Sequence, residues 1–240
     1  MGYRRIINRI KKLLFPKTCP LCNEIIKDEN IIICDDCKVK VPYLSEPLCF
    51  KCGKEIDNEE KEFCKDCLER PKSYIKGFPA MNYVEPIKKS LSDFKYHNKK
   101  TYAHYYAYEI IKTHGKEIQE IKPDVLVPVP IHKNKYEKRG YNQAELVAKE
   151  IGEILDIPVD NRILKRVVDT LPQKNLDNNK RQKNLENAFI SYENEVKYNK
   201  VMLVDDIYTT GATIEACSKL LKNLGIINIY YTSIAIGKGE

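Results

Sequence analysis

The chain has 240 residues, with 41 Lys and Arg against 34 Asp and Glu and a formal net charge of +7. That length is comfortable for a main domain with a smaller companion, and the moderate basic excess favours anionic ligands, whether phosphates or nucleic acid, without choosing between them. In the opening stretch MGYRRIINRIKKLLF the longest apolar run is three residues, which excludes a signal-peptide core or a membrane span there and makes the cytoplasm the expected location.

Within that stretch Ile6, Ile7, Ile10, Leu13 and Leu14 recur at helical spacing opposite the basic residues. This predicts a short amphipathic helix that docks on its own protein or lies peripherally on the cytoplasmic membrane, with docking favoured for so short a segment. Myristoylation at Gly2 is excluded because position 6 holds Ile6 where Ser or Thr is required.

Eight of the nine cysteines follow as four pairs, Cys19/Cys22, Cys34/Cys37, Cys49/Cys52 and Cys64/Cys67, each a CxxC whose start lies 15 residues after the last. A CxxC turn presents two thiolates to one metal ion, and two turns close a tetrahedral site, so the four pairs predict two structural Zn²⁺ ions. Disulfides fit poorly in a chain read as cytosolic, and a thioredoxin-type redox motif is a single CxxC in a βαβ setting. Equal spacing leaves the pairing open between tandem sites and interleaved ones; tandem pairing closes the shorter loop and is favoured. Residues 1–70 are therefore read as an N-terminal helix followed by a zinc-binding module with two four-cysteine sites, which depends on metal to fold.

Residues 71–120 read as a helical connecting region, with helices expected near 84–96 and 100–114. Tyr102, Tyr105, Tyr106 and Tyr108 in the second offer faces for stacking nucleic-acid bases. Because 102, 105 and 106 share one helical face, core packing is the favoured role.

From about residue 121 to 240, apolar runs alternate with helical patterns, as expected of a mainly parallel α/β sheet flanked by helices. The strand candidates are 125–130, 163–168, 187–192, 201–207 and 227–236. Asn142 and Glu145 form a capping-box signal for the helix carrying Leu146, Val147, Ile151, Ile154 and Leu155. The most informative segment is VMLVDDIYTTGAT, 201–213. Its apolar strand ends in Asp205 and Asp206, and a short loop, Thr209, Thr210, Gly211, Ala212 and Thr213, opens a helix with Ile214, Cys217, Leu220, Leu221 and Leu224 at core spacing. Helix N-terminal N–H groups and the threonine hydroxyls suit a phosphate, and glycine lets backbone approach it. The two carboxylates suit adjacent sugar hydroxyls, each charged hydrogen bond being worth about 1.5–3 kcal/mol.

This segment resembles the motif by which type I phosphoribosyltransferases bind 5-phosphoribosyl-1-pyrophosphate (PRPP) with Mg²⁺, paired acids holding the ribose and the loop its 5-phosphate. That resemblance implies pyrophosphate contacts from KNKYEKRGYNQAE (133–145), which offers Lys133, Lys135, Lys138 and Arg139 before Gly140, and from the broken polar stretch 169–184 through Arg181 and Lys183. It also makes 71–120 the counterpart of the hood that selects the acceptor. The cysteine module, FKYH (94–97), RGYNQ (139–143), DTLPQ (169–173) and the 201–213 motif together resemble the competence protein F family (ComF, ComFC) over nearly the whole chain. Membership implies a PRPP-binding protein that handles single-stranded DNA in natural transformation, with DNA-import proteins at the inner face of the membrane as partners. The alternative it leaves open is an active phosphoribosyltransferase acting on a nucleobase-like acceptor.

Overall fold

The computed structural model describes residues 16–28, 30–169, 188–192 and 198–237. The expected N-terminal amphipathic helix, Arg181 and Lys183 lie outside them.

Four strands, β1 (Gly77–Asn82), β2 (Val125–Pro128), β5 (Lys200–Tyr208) and β6 (Asn228–Ile236), form one sheet in the order β1-β6-β5-β2, every pair parallel. A central parallel strand must be apolar on both faces, and β5 meets this with Val201, Met202, Leu203 and Val204, all fully buried. Burying each such side chain contributes about 1.5–3 kcal/mol. Alternation sends Leu126, Met202, Val204 and Ile234 to one face and Val125, Val127, Val201 and Leu203 to the other.

The first face is covered by α3 (Ile87–Tyr96), α4 (Tyr102–Ile121) and α6 (Gln143–Leu155), and the second by α7 (Ala212–Asn223). Each of the two cysteine units belongs to a different face. Cys19, Leu21, Ile33 and Cys37, the last on the one-turn helix α1 (Asp35–Lys38), join the first; Cys49, Cys52, Cys64 and Cys67, the last on α2 (Lys65–Glu69), join the second. The chain between the units and the start of the second unit run along the outer edge of β1, where Tyr43 bridges Met81, Pro42 O accepts from Asn82 N at 2.8 Å and Lys51 O accepts from Gly77 N at 2.9 Å. On the opposite edge, Leu126 exchanges backbone bonds with Pro158 and Asp160. Both edges of the sheet are thus occupied by the chain itself.

The structure differs from the sequence reading in three places. Residues 77–82, in the stretch expected to be a helical connection, form a strand: Gly and Pro weaken the strand signal, but Pro79 sits on an edge strand, where a missing N–H is tolerated. The expected strands near 163–168 and 187–192 are β3 (Leu164–Arg166) and β4 (Phe189–Ser191), which pair antiparallel with each other outside the main sheet. Asn142 does cap α6, accepting from Ala144 N at 3.2 Å, but Glu145 accepts from Lys149 and Asn161. Tyr102, Tyr105 and Tyr106 are buried in the core, as their shared helical face implies, while Tyr108 is 42% exposed.

Candidate functional site

The cysteines gather as two separate sets in tandem, Cys19, Cys22, Cys34 and Cys37 in one, Cys49, Cys52, Cys64 and Cys67 in the other, with the sulfurs of each set within 4.8 Å of one another. Cys22 and Cys34 Sγ are 3.7 Å apart, and Cys52 and Cys64 Sγ 3.6 Å. A tetrahedron with Zn–S of about 2.3 Å has edges of roughly 3.8 Å, so both sets fit a Zn²⁺ ion and neither is at disulfide distance. Burial opposes ionisation of Cys19, but backbone groups of Cys22, Cys34 and Leu21 outweigh it and bring the thiol down to about 7. With four cysteine ligands in each set, both sites are closed and structural, with no position left for a reacting molecule.

The second site lies where the parallel strands end. Asp205 and Asp206 stand at the C-terminal end of β5, the side at which ligands bind in open α/β sheets. Asp205 Oδ1 accepts from Asp206 N at 2.8 Å, and Asp206 Oδ2 pairs with Lys95 Nζ at 2.8 Å. Burial, and then the neighbouring Asp206 carboxylate, push Asp205 up to about 8. Thr209 and Thr210 are exposed in the loop that follows, and Gly211, with φ +76°, turns the chain into α7. Ala212 N donates to Thr210 Oγ1 at 3.4 Å and Glu215 N to Gly211 O at 2.8 Å; the amides between them, Thr213 and Ile214, have no carbonyl one turn back in the helix to bond, as at any helix start.

Four cations from three segments gather on this side of the sheet, and two of them, Lys95 and Arg166, act on the carboxylates. Lys95, at the end of α3, touches Asp206. Arg139, at the end of α5 (Lys133–Arg139), donates to Gln143 Oε1 at 2.9 Å and to Tyr96 Oη at 3.2 Å, with its guanidinium 5.0 Å from the Tyr96 ring centre. Lys135 faces Asp169 at 3.9 Å, and its pKa is pulled down first by burial and then by the Arg166, Arg139 and Lys95 charges. Arg166 on β3 feels Asp205, and its guanidinium stacks 5.1 Å from Phe189. Of the residues expected to contact pyrophosphate, Arg139 joins this cluster, Lys138 is exposed on α5, and Gly140 ends that helix with φ +76°. Lys95 and Arg166 were not anticipated. Neither lies in an anion-binding motif, and only the FKYH resemblance carried any signal for Lys95.

Both cysteine units reach this site. In the first, Asn23 Nδ2 donates to Asp93 Oδ2 at 2.9 Å and Asn23 Oδ1 accepts from Tyr102 Oη at 2.6 Å, fixing the end of α3 that carries Lys95. In the second, Tyr231 Oη donates to Cys52 O at 2.7 Å, the Tyr208 ring stacks on Tyr231 at 4.8 Å, and the Tyr208 and Tyr74 hydroxyls share a 2.8 Å bond. Ser73 gives both its N–H and its hydroxyl to Glu215, in the first turn of α7, at 2.7 Å each. The loop at 209–213 is therefore built directly on the second cysteine unit.

A family model described as a double zinc ribbon domain matches residues 10–68, and one described as a phosphoribosyl transferase domain matches residues 102–233. The chain is 34% identical over 209 residues to Competence protein F of Haemophilus influenzae, covering 85% of this chain and 90% of that protein. It is 26% identical to DNA utilization protein YhgH of Escherichia coli K12, over 89% of this chain and 94% of that one. It is 27% identical to Competence protein ComFC of Bacillus subtilis, over 80% and 79%.

Proposed function

Because the chain belongs to the competence protein F family, we propose that it binds PRPP through its phosphoribosyltransferase domain and serves the handling of single-stranded DNA during DNA uptake. The observation that carries the first half is the pair Asp205 and Asp206 at the end of a central parallel strand, followed by a glycine turn into a helix, with Lys95 and Arg166 beside the carboxylates. In this reading Asp205 and Asp206 accept from the ribose hydroxyls, and Thr209, Thr210, Gly211, Ala212 and Thr213 hold the 5-phosphate at the start of α7. Arg139 and Gly140, with Lys138, Arg181 and Lys183, serve the pyrophosphate. Burial, and then the adjacent Asp206 carboxylate, push Asp205 up to about 8, and such a pair suits a ligand that arrives with a divalent cation. Mg²⁺ carried with PRPP supplies charge neutralisation at the departing pyrophosphate.

The DNA half rests on the relatives named for competence and DNA utilization. A cytoplasmic protein meeting DNA-import proteins at the inner face of the membrane is the setting we infer, and no helix among the described residues is long and apolar enough to cross a membrane. A second reading, transfer of the phosphoribosyl group to a nucleobase-like acceptor, is favoured by the cation cluster itself. As the C1–O bond breaks, its electron pair leaves with pyrophosphate, whose charge the cations stabilise, and the acceptor attacks C1.

Calorimetric titration of the zinc-loaded protein with PRPP and Mg²⁺, beside the Asp205→Asn/Asp206→Asn variant, tests the proposal. Binding that the variant loses while keeping its fold is expected; a wild type that binds no PRPP sinks the assignment. Pyrophosphate released only in the presence of an acceptor would turn the conclusion to the second reading, and salt-sensitive binding of single strands without turnover supports the first.

A further inference from the structure

The Lys95–Asp206 pair joins elements far apart in the sequence and sits inside the site. The N···O distance is 2.8 Å, and the two side chains are 17% and 19% exposed. Holding a lysine there has a cost, since a long flexible side chain loses rotamer freedom and a half-buried ammonium loses water. Lys95 is nevertheless held from several directions. The preceding Phe94 is fully buried against Tyr106 and Tyr141, the Tyr141 hydroxyl donates to Phe94 O, and Asp93 is gripped by Asn23 and His97. The next residue, Tyr96, meets Arg139 at the end of the segment that follows β2. Lys95 therefore reaches Asp206 from α3, close enough to Lys135 of α5 for the two charges to interact, while Arg166 of β3 acts on Asp205. Only two carboxylates of the cluster, Asp206 and Asp169, come within ion-pair distance of Lys95 and Lys135 among the described residues. Lys135 is held below its ordinary range first by burial and then by the Arg166, Arg139 and Lys95 charges, against which Asp169 acts, so Lys95 belongs to a group of cations that an anionic ligand would bridge.

From this placement we infer that Lys95 recognises the pyrophosphate end of the ligand, leaving Asp206 for the pyrophosphate oxygens and so freeing that carboxylate for the ribose. The inference rests on the reading that the site binds PRPP. It makes the cysteine unit that fixes Asp93 a support for pyrophosphate recognition, as the other unit supports the loop at Gly211.

The probes are Mg²⁺-pyrophosphate, ribose 5-phosphate and PRPP, titrated into the zinc-loaded full chain and its Lys95→Met, Lys95→Arg and Asp206→Asn variants, with thermal unfolding as the check on folding. Lys95→Met is expected to weaken pyrophosphate and PRPP at least about tenfold while changing ribose 5-phosphate less than about twofold, and Lys95→Arg to restore most of the loss. Asp206→Asn is expected to show the reverse pattern, losing ribose 5-phosphate and retaining pyrophosphate. Equal losses of all three ligands in Lys95→Met would mean that the lysine only neutralises Asp206, and unchanged pyrophosphate affinity would mean that it plays no part in the site; either overturns the inference while leaving PRPP binding intact. A wild type that binds none of the three overturns the inference together with the reading beneath it.

Discussion

Two glycines share the same left-handed backbone angle and differ in what surrounds them, which makes Gly211→Ala a calculable perturbation. Gly211 and Gly140 both have φ +76°, but a Cβ at Gly140 meets nothing within 4 Å, whereas one at Gly211 overlaps the Tyr208 hydroxyl and lies 2.9 Å from its ring Cε2. The conformational cost of an L-residue in this region is about 1–2 kcal/mol at either position. At Gly211, Tyr208 must also move. Its ring is stacked at 4.8 Å on the fully buried Tyr231, and its hydroxyl is bonded to Tyr74, so displacing it adds about 1–3 kcal/mol of overpacking or of lost buried hydrogen bond. Gly140→Ala is thus expected to cost about 1–2 kcal/mol and Gly211→Ala about 2–5 kcal/mol. Each kcal/mol lowers Tm by about 2–4 °C in a chain of this size. Thermal unfolding of the zinc-loaded variants measures the difference, and in a Tyr208→Phe background the cost of Gly211→Ala should fall by about 1 kcal/mol, because the nearest clashing atom is gone. Equal Tm losses for the two alanine variants, or strict additivity with Tyr208→Phe, would show that the loop does not rest on Tyr208.

Metal analysis of the purified chain should return about two zinc ions, four cysteines to each, and Cys→Ser changes confined to one set should lower the content to about one; a single ion in the wild type would contradict the tandem sites. The acidity of Asp205 gives a sign-definite pH effect. Its folded value, pushed up to about 8 by burial and by Asp206, lies above the ordinary carboxylate range, so its contribution to stability is full below about pH 4 and is lost as pH rises through 8. Urea unfolding between pH 4 and 8 should therefore show a downward trend that Asp205→Asn flattens; an unchanged slope in the variant would show that Asp205 is not the group responsible.

Sequence alone determined whatever is written in contiguous residues. The CxxC repeat carries its own ligand chemistry, because each turn brings two thiols together locally. The run 201–213 carries a strand, its two carboxylates and the glycine that opens the next helix within one short stretch, so their order in space follows from their order in the chain. Tyr102, Tyr105 and Tyr106 were legible as core from helical periodicity alone. What tertiary structure decided is whatever depends on which elements meet. Gly77–Asn82 becomes a strand because β6 offers an edge to pair with, despite Pro79. Leu164–Arg166 and Phe189–Ser191 leave the parallel sheet to pair with each other. Lys95 and Arg166 come beside Asp205 and Asp206 only because α3 and β3 deliver them to the end of β5. Nor does any spacing between cysteines say that one unit packs with α3 and the other beneath Tyr208, since that placement is set by burial on opposite faces of the sheet. Periodicity encodes which side of an element is apolar, and the choice of neighbour is settled only when those apolar sides are buried together.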